Sequence, residues 1–238
     1  MNHQINELEY FGSADSTNPT LTSSVPADNA TGVAEDANIV LNFDEIVDAE
    51  TGNITIKKTS DNSTVETIDV TGGQLSGSGS TQITLNPSVT LDSSTEYYVL
   101  IDATAFDDVS GNSYAGISST TALSFTTGDT TGPTLTSSVP ADNATSVALD
   151  STIVLNFSSN VDAESGNITI KKTSDNSTVE TIDVTTSQVS GSGTSQITIT
   201  PSSNFENLTQ YYVLIDATAF DDSVGNSYEG ISSTTALS

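Results

Sequence analysis

TEYYVLIDATAFDDVSGNSY, residues 95–114, is the stretch that decides the fold. It opens as a strand. Tyr97, Val99 and Ile101 alternate with Tyr98, Leu100 and Asp102, so one face can enter a core. It then runs into an acidic loop holding Asp107, Asp108, Gly111 and Asn112. The pair recurs at residues 210–228 as QYYVLIDATAFDDSVGNSY.

The recurrence extends far beyond this stretch. Pro19 matches Pro133, Phe43 matches Phe157 and Tyr97 matches Tyr211, always at an offset of 114 and without a gap. Residues 17–124 agree with 131–238 at 82 of 108 positions, and residues 52–71 are identical in both copies. Copies this close point to a recent duplication within an array of repeats.

Within one repeat the strands follow in order. An extended entry strand spans 19–31, with a Pro-Ala-Asp-Asn turn. NIVLNF (38–43) places Ile39, Leu41 and Phe43 on one face. DEIVDAETG (44–52) reads as an acidic loop, NITIKK (53–58) and TVETIDV (64–70) as strands, and GGQLSGSG (72–79) as a glycine-rich turn. QITLNP (82–87), the Tyr97 strand and ALSFTTG (122–128) complete the set. Seven short strands without a helical period predict an all-β chain of two tandem immunoglobulin-like β-sandwiches, about seven strands each. Tyr97, near the start of the sixth strand, suits a tyrosine corner. The expected division is an N-terminal extension over 1–16, one domain over 17–128, a short linker at 129–132 and a second domain over 133–238.

These segments resemble a known family. VPADNATGV (25–33), IVLNF (39–43) followed by VDAETG (47–52), ITLNP (83–87), YYVLIDATAFDDVSGN (97–112) and LSFTTGD (123–129) are similar to the bacterial Ig-like domains of S-layer proteins, giant adhesins and cyanobacterial surface motility proteins. The resemblance covers nearly all of each repeat and implies tandem building blocks of stalks or matrices on a bacterial cell surface. An extracellular location follows from it.

Composition limits the partners. The 238 residues hold 31 acids against 4 bases, a net charge of -27. Phosphate backbones are bound by Lys and Arg, so nucleic acid is excluded, and an anionic membrane surface for the same reason. No apolar run approaches the roughly 20 residues of a membrane span. With no cysteine there is no disulfide and no thiolate chemistry. MNHQINELEYFG (1–12) lacks the basic head and apolar stretch of a signal peptide. The Asn-x-Thr sequons, at Asn29, Asn53, Asn62, Asn143, Asn167, Asn176 and Asn207, matter only in a glycosylating pathway.

Catalysis is not expected. His3 is the only histidine and lies at the terminus, and no GxSxG elbow is present. The Asp107/Asp108 pair occurs in both repeats, which suits a structural part better than a glycosidase centre. Calcium is the better chemical candidate, because hard cations take several carboxylate and carbonyl oxygens. In a seven-strand sandwich the loops after strands two and six share an end with the incoming chain. That gathers Asp15, Asp48, Glu50, Asp107, Asp108 and Asn112 in the first domain, and Asp129, Asp162, Glu164, Asp221, Asp222 and Asn226 in the second. Asp44 and Glu45 are replaced by Ser158 and Ser159 and carry less weight. Asp, Asn and Gly also form such turns without any metal. A glycan-binding accessory module is the competing function. It needs exposed rings; there is no Trp, and Tyr114 and Tyr228 are the candidates.

The ends of the chain are out of step with the repeat. The second copy reaches Leu237 and Ser238, short of a counterpart to Phe125. Phe11 lies eight residues before Pro19, as Phe125 lies eight before Pro133. A cut through a longer array explains both. So does strand donation, in which residues 5–12 of one copy complete the second domain of the next through Ile5, Leu8, Tyr10 and Phe11. The partner is then the chain itself, head to tail, in a filament. Glu9 falls at the place of Leu123; a one-residue slip turns Leu8 and Tyr10 inward and Phe11 out.

Overall fold

In the computed structural model, residues 15–238 are described, and every regular element among them is a strand. The chain divides into two compact units, one ending at Gly128 and the other spanning Asp129–Ser238.

The first unit holds ten strands: β1 (Leu21–Val25), β2 (Ala30–Val33), β3 (Ile39–Ala49), β4 (Asn53–Lys58), β5 (Thr64–Asp69), β6 (Leu75–Ser76), β7 (Ser80–Leu85), β8 (Glu96–Ile101), β9 (Phe106–Asp108) and β10 (Ser124–Thr127). One sheet runs β1-β3-β7-β6, with β9 pairing β3; the other runs β2-β10-β8-β4-β5. Period-two alternation turns Ile39, Leu41 and Phe43 of β3 into the same core as Ile54 and Ile56 of β4 and Tyr97, Val99 and Ile101 of β8. Two sheets, antiparallel except where β2 meets β10, share one core and make the expected β-sandwich. Phe43 anchors one end, 5.5 Å from Phe106 and 5.2 Å, edge to face, from Tyr114.

Three local expectations change. The entry segment is two strands in different sheets: β1 pairs β3, and β2 lies parallel to β10. The acidic segment 44–52 is mostly strand, because β3 continues to Ala49. The ladder shifts register between Asn42 and Val47, and beyond that shift β3 pairs β9. Tyr98 is buried although it stands on the opposite face from Tyr97; its hydroxyl donates to Asn62 Oδ1 at 3.1 Å. Tyr97 forms the expected corner: the Asp92 N–H donates to its hydroxyl oxygen at 2.8 Å.

The second unit repeats the first sheet with β11 (Leu135–Val139), β12 (Ile153–Ala163), β16 (Thr194–Ile199), β15 (Val189–Ser190) and, on β12, β18 (Phe220–Asp221). Its other sheet has three strands, β14 (Thr178–Asp183), β13 (Asn167–Lys172) and β17 (Tyr211–Ile215), in that order. Counterparts of β2 and β10 are absent from it. Tyr211 is therefore half-buried, where its counterpart Tyr97 is fully buried.

Candidate functional site

Two features stand out: an acidic end in each unit, and an open edge on the second.

At the acidic end of the first unit, Asp108 is buried and held by its own loop. Its Oδ1 accepts from the N–H groups of Ser110 at 2.8 Å and Asn112 at 2.7 Å, and its Oδ2 accepts from Asn112 Nδ2 at 2.7 Å. Burial opposes the charged form, but these donors, Asn112 foremost, outweigh it and hold the carboxyl below its usual range. Asn112 Nδ2 also donates to the main-chain oxygen of Asp15 at 3.2 Å. One amide thus ties the incoming chain to the β9 loop. The second unit repeats this arrangement. Asn226 Nδ2 reaches Asp129 O at 3.2 Å and Asp222 Oδ2 at 2.9 Å, and the Asp222 carboxyl is lowered in the same way. Asparagine thus links the incoming chain to the acidic loop in both units.

The other acids separate. Asp48 and Asp107 are cross-strand partners on β3 and β9, as Asp162 and Asp221 are on β12 and β18. Successive residues of β9 face opposite ways, so Asp107 and Asp108 point apart. Glu50 and Glu164 are exposed. The carboxylates that do converge are Asp15, Glu45 and Asp108, with oxygens within 4.8 Å of one another. Glu45 has Ser159 as its counterpart in the second repeat. It joins the cluster because β3 continues through it as strand. Burial, then the charges of Asp108, Asp15 and Asp44, raise its carboxyl pKa. Three converging carboxylates fit a hard cation, but Asp108 already spends both oxygens on its own loop, and Asp15 Oδ1 accepts from Thr17 N at 2.9 Å.

Tyr114 and Tyr228 are no sugar platforms. Each is only 6% exposed, packed edge to face on Phe43 or Phe157.

The open edge lies where the second repeat lacks a counterpart to Phe125. In the first unit β10 lies between β8 and β2, with Phe125 opposite Tyr97 and Thr126 opposite Glu96. The corresponding place in the second unit is a groove of about 690 Å³, whose lining includes Val147, Leu149, Phe205, Leu208, Tyr211 and Val213. Phe205, at the place of Leu91, packs on Tyr211 at 4.9 Å between ring centres. The donor residues Ile5, Leu8, Tyr10 and Phe11 lie outside the described residues.

Several known proteins are similar to this chain. Among solved structures, the N-terminal part of the bacterial S-layer protein SbsC is similar at 14% identity and a TM-score of 0.34, over 82% of this chain and 43% of that one. Surface layer protein SbsC, domains 1–6, gives 15% and 0.34, over 92% and 31%. The BSP domain of a biofilm associated protein gives 16% and 0.21, over 88% and 29%. The chain thus spans less than half the length of each. No curated protein matches it. The model of the bacterial Ig-like domain matches twice, over residues 15–127 and 129–235, and the chain belongs to that family.

Proposed function

We propose that this chain is a structural subunit of an extracellular fibre, surface layer or adhesin stalk on a bacterial cell. Copies join head to tail, the N-terminal segment of one entering the second domain of the next. The observation that carries this reading is the open apolar groove at the place β10 fills in the first domain. An unpaired sheet edge beside an open core slot is the arrangement that β-augmentation satisfies. The contact is heterologous and does not close on itself, so it propagates as a filament. Burying one large side chain contributes about 1.5–3 kcal/mol, and each new backbone hydrogen bond about 1 kcal/mol net. Non-enzymatic work fits the same picture, since the buried carboxylates Asp108 and Asp222 are held by their own loops.

Calcium belongs to this proposal as a ligand of the first domain. Asp15, Glu45 and Asp108 would hold it, and it would relieve the repulsion that raises the Glu45 carboxyl. The glycan-binding alternative has no exposed tyrosine among Tyr114 and Tyr228 to support it.

The test of head-to-tail joining is deletion of residues 1–12. The intact chain should form filaments. The truncated chain should keep its β-sheet circular dichroism and remain single. Filaments from the truncated chain would refute the proposal.

A further inference from the structure

Each domain has one margin where the last strands of its two sheets come together. In the first domain β5 ends one sheet and β6 ends the other. Glu66 on β5 is the cross-strand partner of Ile56, which is fully buried, so the glutamate stands on the core side of an edge strand. Its carboxylate crosses to the other sheet. The Ser88 N–H donates to both oxygens at 3.1 Å, Ser88 Oγ donates to Oε1 at 2.5 Å, and Gln74 Nε2 donates to Oε1 at 2.7 Å. Gln74 lies just ahead of β6 and Ser88 just beyond β7. Gln74 is itself fixed, since its main-chain oxygen accepts from the Asn86 N–H at 2.8 Å. Among the described residues, the hydrogen bonds from β5 to this margin of the other sheet all end on Glu66.

The second domain repeats the arrangement. Glu180 on the edge strand β14 is the partner of buried Ile170. The Ser202 N–H donates to its oxygens at 3.1 and 3.0 Å, and Gln188 Nε2 donates to Oε1 at 2.8 Å.

We infer that Glu66 and Glu180 are clasps, closed at neutral pH and released by acid, that hold the free edge strand of each domain to the opposite sheet. The inference is independent of how copies join. An edge strand carries a row of main-chain groups without a strand partner, and a charge pointing inward is one way such an edge is guarded. The ionised carboxylate only accepts, which matches the donors that meet it; a proton makes one oxygen a donor and removes the charge that strengthens the bonds. The residues that face Glu66 are Ile56 on β4, Gln74, Ser88 and Val89, and none of them titrates. Lys57, the next residue along β4, spends its Nζ on Thr64 Oγ1 at 2.8 Å. The clasp therefore answers to its own carboxyl. Burial opposes the charged form of Glu66, but the Ser88 and Gln74 bonds outweigh it and hold the carboxyl below its ordinary 4.5. Glu180 is lowered in the same way by Gln188 and Ser202. A lowered folded pKa gives a contribution that is present above the ordinary value and lost as pH falls through the lowered one.

Hydrogen exchange in the full chain tests the clasp, with protection corrected for the intrinsic exchange rate at each pH. Residues 64–69 and 178–183 are identical in sequence and report together. The wild-type chain should keep these strands protected at pH 7 and lose protection there below pH 4.5, while Tyr97–Ile101 and Tyr211–Ile215 stay protected. Glu66→Gln with Glu180→Gln should lose about tenfold in protection of the same strands already at pH 7, because an amide nitrogen then meets the Ser88 and Ser202 N–H groups. Asp69→Asn with Asp183→Asn removes the same charge from the same strands outside the clasp and should leave protection unchanged. Protection of the edge strands that is equal in the wild type and the glutamine variant at pH 7 would overturn the inference. So would an equal loss in the asparagine variant, or an acid loss that spreads evenly to Tyr97–Ile101.

Discussion

Asn112 holds two chain segments with one amide nitrogen, the Asp108 carboxylate and the main chain of Asp15. Asn112→Ala removes both contacts and takes a donor from a buried carboxylate, so the melting temperature of the first domain should fall, as scanning calorimetry would show. Asn226→Ala should do the same to the second. Glu45 and Asp108 respond to pH in opposite senses. The folded pKa of Asp108 is lowered, so its contribution is present above the ordinary carboxylate range and is lost as pH falls through the lowered value. The folded pKa of Glu45 is raised, so its ionised form disfavours the fold, and that handicap fades as pH falls through the raised value. Glu45→Gln should raise the melting temperature at pH 7, and the gain should vanish below the ordinary value of 4.5. Millimolar calcium should have the same effect on the first domain and none on a Glu45→Ser variant, which reproduces Ser159 of the second. Melting that is indifferent to both calcium and chelator would show that these acids hold no calcium.

At the level of single strands, the tyrosine corner is the joint between β8 and the segment before it. Tyr97→Phe keeps the buried ring and removes the acceptor for the Asp92 N–H, at a cost of about 1–3 kcal/mol for the orphaned group. Tyr211→Phe should cost less, because Glu206, whose N–H donates to it at 2.7 Å, sits exposed where water can substitute. Denaturant titration of each variant would measure the difference. Period-two alternation made the core strands legible beforehand, since Ile39, Leu41 and Phe43 have no other way to share a face. It failed at residues 44–49, where Asp and Glu suggest a turn but a register shift carries β3 onward. It also failed at Tyr114, whose ring is drawn into the core by Phe43 from a segment with no strand pattern. The acids were legible as a group but not as a site. Which of them converge depends on the alternation of β9 and on the continuation of β3, and neither shows in composition.

Across the whole molecule, charge and assembly oppose each other. Copies carrying -27 each repel at long range, while the proposed joint is apolar and buried. Salt screens the repulsion, with a Debye length of about 10 Å at 0.1 M, and leaves the apolar term in place. Filament growth should therefore accelerate between about 10 and 150 mM sodium chloride, where the Debye length shrinks from about 30 to 8 Å; light scattering would follow it. An assembly held by surface ion pairs would weaken over the same range. Electron microscopy of the purified, intact chain tests the central claim most directly. Head-to-tail insertion into the second domain predicts unbranched filaments from the intact chain that shorten when a peptide of residues 1–16 is added in excess to occupy the groove. Single particles at every concentration and salt, or filaments indifferent to the peptide, would contradict it.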